Sequence, residues 1–430
     1  MDQIKLTMKE LKAFIILWST QSISTLGSSM TNFALIILSY QRYESALVTA
    51  MLSVCTYVPY VIMSIFAGAI SDRWNKKYIM LASDSFAAFC TVFVWILLRN
   101  NRLEIWHLYA LNALNGLMNT IQQPAADVTT SLLIPEKHYQ KASGMRSFSN
   151  SLVSIVTPMI ASTLLALTNI QTVIVLDLIT FVIAFTALLF FIKIPEIQKE
   201  RVTQETVLQS AKNGLKYMKQ NRGILDLILF LAAINFTASM YNAALPAMIL
   251  SKETGGEVAL GVINMVTGIS MLVGSIMVSL SPTPMSRVKV ILNTLLLSMS
   301  TENFFLAFGN TLPIWCVGAV LGWIGIPIMN ANMDVLFRSY IPLPMQGRIY
   351  SARNTLQFFT IPIGYFLGGV LVDRVFEPFM AIQPAQGVFV MFFGTGKGSG
   401  AAFLFFVLGV LGVVTCLVFR KDKNIRQLEQ

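Results

Sequence analysis

The sequence predicts an all-α integral membrane protein, with twelve transmembrane helices in two pseudo-symmetric six-helix bundles. Three observations carry that prediction. Of the 430 residues, 55% are hydrophobic and 12% charged, at a mean hydropathy of +0.66, whereas an average soluble domain carries about 25% charged residues. The apolar residues gather in runs long enough to cross a hydrocarbon core of ~30 Å, which takes about 20 residues of helix. The second half of the chain also repeats the first. A shift of 207 residues lays Asp127 on Asp334, Pro135 on Pro342 and Arg146 on Arg353.

Taken in order, spans are expected at 13–41, 46–71, 77–98, 105–132, 139–167 and 171–193, then at 223–250, 258–281, 288–307, 313–341, 348–374 and 399–419. Lys5, Lys9 and Lys12 precede the first span and put the N-terminus in the cytoplasm by the positive-inside rule. Twelve crossings return the chain to that side, where a basic tail begins at Arg420. Under this count six of the 31 basic residues fall outside: Arg42, Arg99, Arg102, Lys252, Arg374 and Lys397. The halves, 1–193 and 223–430, are joined by a basic segment, 194–222. Val207, Leu208, Ala211, Leu215 and Met218 follow a helical period there, which predicts an amphipathic helix on the cytoplasmic membrane face.

Other classes fall away. A net charge of +10 would suit nucleic acid, but the bases are spread over loops between apolar runs, where topology accounts for them. Cys55, Cys90, Cys316 and Cys416 lie inside apolar runs with no CxxC spacing, and the two histidines, His107 and His138, are far apart, so no disulfide framework, metal site or cofactor is expected. No Ser-His-Asp or HExxH pattern points to an enzyme. The first apolar run lacks a small-x-small cleavage site and is expected to stay as a span. The loop Gly394–Gly400, which contains Lys397, superficially suggests a phosphate loop, but the lysine is followed by glycine rather than Ser or Thr.

The most informative loop is Gly68–Lys77, GAISDRWNKK, read as a tight polar hairpin between the second and third spans. Its pattern Gly-x-x-x-Asp-Arg-x-x-Lys-Lys resembles the corresponding loop of the major facilitator superfamily of transporters. Together with the 6+6 repeat, the resemblance covers nearly the whole chain. Within that superfamily the chain is similar to the bacterial drug exporters that include macrolide efflux proteins. Gln21, the stretch Lys76–Asp84, the run Pro124–Pro135 and the stretch Leu176–Phe185 carry this likeness. The resemblance implies alternating access by two rocking bundles. It also implies a cytoplasmic gate at Gly68, Asp72, Arg73, Lys76, Lys77, Asp127, Arg146, Asp334 and Arg353. In the family the matching loop acid caps the eleventh span, and the base four residues later, here Lys76, pairs with the acid at Asp127. Two departures stand out. Asn75 replaces the second glycine of the loop, and is expected to keep the turn because Asn tolerates left-handed angles. The fourth span has Asn112 and Asn115–Gly116 where many proton-coupled drug exporters carry an arginine, which excludes a relay through that arginine. In the fifth span the antiporter motif keeps Pro158 but no glycine.

Three acids lie deep in apolar runs: Asp177, Asp84 and Glu302. A charge at depth is costly unless paired, protonated or facing water, and few deep bases are available, so these are the candidates for proton or cation coupling. Arg146 and Arg353 sit near helix ends, where their side chains can snorkel or pair with Asp127 and Asp334. Amides and aromatic residues expected to line a cavity are Gln21, Asn32, Asn112, Asn119, Asn235, Tyr241, Asn242, Asn264, Trp323, Asn330, Asn354 and Gln357, with Ser24 and Gln122. Such walls suit a bulky amphipathic guest. The resulting expectation is a monomeric multi-pass transporter of the cell membrane, exporting macrolide-like or other lipophilic drugs in exchange for protons. Export of an endogenous metabolite, peptide or siderophore, or a transporter-like sensor that moves nothing, are the alternatives.

Overall fold

In hydrocarbon no water satisfies backbone N–H and C=O groups, so an apolar run of this length closes its own hydrogen bonds as a helix. The computed structural model, which describes residues 11–135, 139–194, 216–282, 284–341, 353 and 355–428, is helical accordingly, with no strand among the described residues. The first six helices are α1 (Lys12–Tyr43), α2 (Ala46–Arg73), α3 (Lys76–Arg99), α4 (Ile105–Leu133), α5 (Tyr139–Leu167) and α6 (Ile170–Thr186), the last continued by a π turn, Ala187–Phe191. Then come α7 (Arg222–Ser251), α8 (Glu257–Leu280), α9 (Arg287–Phe308), α10 (Leu312–Trp323), α11 (Ile326–Tyr340), α12 (Thr360–Val370), a π turn at Leu371–Phe376, α13 (Glu377–Ala381), α14 (Val388–Phe393), α15 (Ser399–Arg420) and α16 (Lys423–Gln427).

Among the described residues eleven segments are long and apolar enough to span a membrane. Helix α4 is not one of them. Its 29 residues reach ~43 Å at 1.5 Å per residue. Length is therefore sufficient, and Asn112, Asn115, Asn119, Gln122 and Gln123 are what lower its hydropathy.

Several expectations are corrected or refined. The 68–77 hairpin is helix except for Trp74 and Asn75. Asn75 is not left-handed: at φ −65° and ψ 122° it is the extended N-cap of α3, with its side chain accepting from the Lys77 amide, the role for which Asn is among the best residues. The tenth span is one membrane-long segment interrupted by a two-residue turn at Ile324–Gly325, with Pro327 in the first turn of α11. The eleventh does not stop at 374 but continues through the π turn to Ala381, and α14 adds a helical segment that periodicity had not marked. Most of the amphipathic segment 194–222 lies outside the described residues.

The chain groups into two compact units: the described parts of Met1–Leu35 with Cys55–Gln204, and of Ile36–Val54 with Glu205–Gln430. The far ends of α1 and α2 thus group with the second half of the sequence. Leu17, Ile79, Met80, Ala125 and Leu188 form one buried core of the first unit, and Met30, Ala34, Ala161 and Val173 another. The second unit has a larger core, including Ile228, Phe230, Leu295, Phe337 and Ile425.

Small residues set the helix spacing. A Cβ on Gly318 or Gly322 would come within 2.7 Å of Phe305 Cβ or 2.6 Å of Glu302 Cβ, so α10 lies directly on α9. A Cβ on Gly368 would sit 2.8 Å from Met240 Cα, on the backbone of α7. Because backbone cannot swing aside, Gly368→Val should cost about 1–3 kcal/mol, seen as a lower melting temperature of the detergent-purified chain. A Cβ at Gly325 meets its nearest neighbour, Thr294, at 3.4 Å or more, so Gly325→Ala should melt close to the parent.

Candidate functional site

Each deep acid is answered by neutral donors from neighbouring helices. Asp84, on α3, accepts from Gln21 Nε2 of α1 at 3.0 Å and from Gln122 Nε2 of α4 at 2.6 Å, one amide to each oxygen. Asp177, on α6 and 4% exposed, accepts from Ser28 Oγ of α1 at 2.9 Å and from Thr91 Oγ1 of α3 at 3.4 Å. Glu302, on α9 and 5% exposed, accepts at one oxygen from both Tyr241 Oη of α7 at 2.5 Å and Trp323 Nε1 of α10 at 2.6 Å. Tyr241 and Trp323 were expected as cavity walls. They are the donors that hold this carboxylate, with Tyr241 packed edge-on against Trp323 and Phe405.

The other expected lining residues divide. Asn32, Asn119, Asn242 and Asn330 are exposed, Asn112 and Asn235 half-buried and Gln357 buried. Asn264 donates back to Leu260 O of its own helix at 2.8 Å, and Asn354 lies outside the described residues.

The loop motif acts partly as capping. Lys77 Nζ donates to the Leu189 and Ile192 carbonyls at 2.9 and 2.7 Å, closing the end of the sixth span, where unmatched carbonyls carry partial negative charge. Lys76 donates to the Trp74 carbonyl. Arg146 pairs with Asp127 at 2.7 Å, with both side chains nearly half exposed. In the repeat, Asp334 is exposed and Arg353 lies over the Phe337 ring at 5.2 Å. The backbone at Gly68, Asp72 and Arg73 completes α2, and their side chains lie outside what is described.

The second unit holds a constellation that sequence reasoning missed. Asp373, in the π turn, accepts from Ser45 Oγ at 2.5 Å and from the Ala46 and Leu47 amides at 3.0 and 2.9 Å, so it caps α2 across 326 residues or more of sequence. Four residues on, Glu377 accepts from the Gly398 and Ala401 amides at 2.9 and 3.2 Å and caps α15. Lys397 pairs with Glu44, Tyr40 shares a hydrogen bond with Ser251, and Gln41 donates to Glu257 at 2.5 Å. The loop around Lys397, which resembled a phosphate loop, is thus a structural clasp. Nothing local marks such partners. A carboxylate capping a helix this distant in sequence leaves no spacing to recognise, and the Ser and Thr hydroxyls around Asp177 look like the many that bond their own helix carbonyls.

Comparison with known proteins agrees with this architecture. Residues 17–285 match the family model described as Major Facilitator Superfamily. Macrolide efflux protein A of Streptococcus pyogenes is 23% identical over 366 residues, 84% of this chain and 90% of that protein. Among solved structures, a variant of the nucleoside transporter NupG superposes with a TM-score of 0.70 at 13% identity, covering 95% of this chain and 99% of that one. A bacterial homologue of the iron transporter ferroportin, in an inward-facing state, also gives 0.70 at 14% identity, covering 96% and 98%. At these identities the solved structures establish the fold alone.

Removing the Asp373 cap leaves the first amides of α2 without their acceptor, which costs about 0.5–2 kcal/mol. Asp373→Ala should therefore speed hydrogen exchange at Ala46 and Leu47 several-fold, measured by mass spectrometry. Lys397 holds Glu44 below the usual carboxylate range. The pair accordingly stabilises above the ordinary glutamate pKa and is lost as pH falls through the lowered value. Melting curves against pH at low salt should show that dependence, and Glu44→Gln should abolish it.

Proposed function

This chain belongs to the Major Facilitator Superfamily and is a multi-pass membrane transporter rather than an enzyme; from that premise we propose that it exports macrolide-like or other lipophilic drugs in exchange for protons. The observation that carries the exchange is Glu302. It is a carboxylic acid enclosed by a tyrosine hydroxyl and an indole N–H, with no ion-pair partner among the described residues. Putting a charge at such depth costs ~2.5–3.5 kcal/mol on insertion scales, so an acid held by neutral donors is suited to take up a proton in one state and release it in another. Asp84, held by two glutamine amides, offers the same chemistry in the first unit. These two acids replace the missing arginine of the fourth span as proton carriers.

The drug part of the reading is supported by the similarity to macrolide efflux protein A and by the chemistry of the exposed amides Asn32, Asn119, Asn242 and Asn330, which hydrogen-bond an amphipathic guest without demanding a charge. Transport proceeds by alternating access. The loop residues Asp72, Arg73, Lys76, Asp127 and Arg146, with Asp334 and Arg353 of the repeat, form its cytoplasmic gate.

In everted vesicles energised inside-acid, uptake of labelled macrolide or of a lipophilic dye should be abolished by a protonophore. Glu302→Gln should cut the gradient-driven component at least tenfold, roughly 1.4 kcal/mol, while the protein stays monodisperse in detergent. Absence of uptake by vesicles containing folded parent protein would remove the drug assignment, and undiminished uptake by Glu302→Gln would remove the role of that acid.

A further inference from the structure

The three deep acids differ in what surrounds them. Around Asp84 and Glu302 the partners are amide NH2 groups, a phenol and an indole N–H. An indole N–H and an amide NH2 are donors and present no lone pair to a cation. Asp177 is met by hydroxyl groups, each of which can turn its proton away and offer a lone pair. Ser28 and Thr91 touch the two carboxylate oxygens at 2.9 and 3.4 Å. The Thr31 hydroxyl, on a residue 6% exposed, lies beside the same carboxylate but completes no hydrogen bond, a buried oxygen left with spare capacity. Gly27 brings α1 up to α6 at this level: a Cβ there would fall 2.2 Å from Thr180 Oγ1 and 3.1 Å from Asp177 Oδ1.

From this we infer that Asp177, Ser28, Thr31 and Thr91 form a binding site for a dehydrated monovalent hard cation of the sodium class. The donor set is all oxygen, which selects hard ions over transition metals. It carries a single carboxylate, so one positive charge is neutralised, whereas a divalent ion would leave a net charge buried at high cost. Oxygens bound 2.3–2.6 Å from a hard cation stand about 3.3–3.7 Å apart when adjacent. The 3.4 Å of Thr91 already fits that spacing, and Ser28 reaches it by opening about half an ångström. Ser28 is exposed, so the cluster is open on that side. The inference deepens the exchange reading by giving the first unit a second ion, yet it stands apart in test, because binding at equilibrium needs neither a gradient nor a drug.

The test uses the full-length chain in detergent, radiolabelled sodium chloride balanced with choline chloride, and a scintillation proximity readout. The parent should bind sodium saturably. Asp177→Asn should weaken binding at least tenfold, Thr31→Val several-fold, and Glu104→Gln, a carboxylate at the start of α4, should not change it. If Asp177→Asn fails to fold, Thr31→Val and Ser28→Ala carry the comparison, since neither removes a charge. No saturable binding by the folded parent overturns the site, as does parent-like binding by Asp177→Asn or Thr31→Val. Proton-driven drug uptake without sodium binding would leave the exporter standing and this site refuted. Sodium binding without drug uptake would do the reverse.

Discussion

Inside hydrocarbon a polar group has no solvent to fall back on, and this single constraint shapes most of what the helices do to one another. It makes every long apolar run a helix, and it then obliges each side-chain carboxylate to be met by a neighbouring helix. Asp84 draws α1 and α4 onto α3, Asp177 draws α1 and α3 onto α6, and Glu302 draws α7 and α10 onto α9. Hydrophobic burial cannot supply this specificity, because lipid tails are as apolar as leucine. Close contact through glycines such as Gly318, Gly322 and Gly368 gives the packing, and the acids give it register.

The same constraint explains why so much of the fold was legible. A 20-residue apolar run has one solution, so the long apolar helices and their order follow from hydropathy. The acids were legible for the converse reason: aspartate in a run such as that around Asp177 is too costly to be incidental. Their partners were not. A glutamine or a tyrosine in a membrane helix is recognisable as facing protein, but its direction around the helix is set by packing. Thus Tyr241 and Trp323 read equally well as cavity wall or as donors to Glu302. Asn75 is a smaller instance. Its identity was compatible both with a left-handed turn and with an N-cap, and only the backbone at that position decides between them.

The polar helix α4 shows where composition misleads in the other direction. Five amides lower its hydropathy, yet Gln122 spends its side chain on Asp84, and a Cβ on Gly116 would fall 2.1 Å from the Thr56 carbonyl oxygen. Part of its polarity is thus directed towards other helices, although Asn119 and Gln123 are exposed. A hydropathy average counts such residues as if they met lipid, and so undervalues a helix that is furnished for contact with protein.

The π turn at Leu371–Phe376 has a mechanical consequence. Asp373 lies within it and Glu377 follows directly, so one rod carries the acceptors for two separate helix starts, those of α2 and α15. A helix that holds two others by their leading amides behaves as a yoke. A rigid shift of that rod carries both carboxylates in the same stroke. A displacement of the rod as a whole is therefore felt at both helix starts.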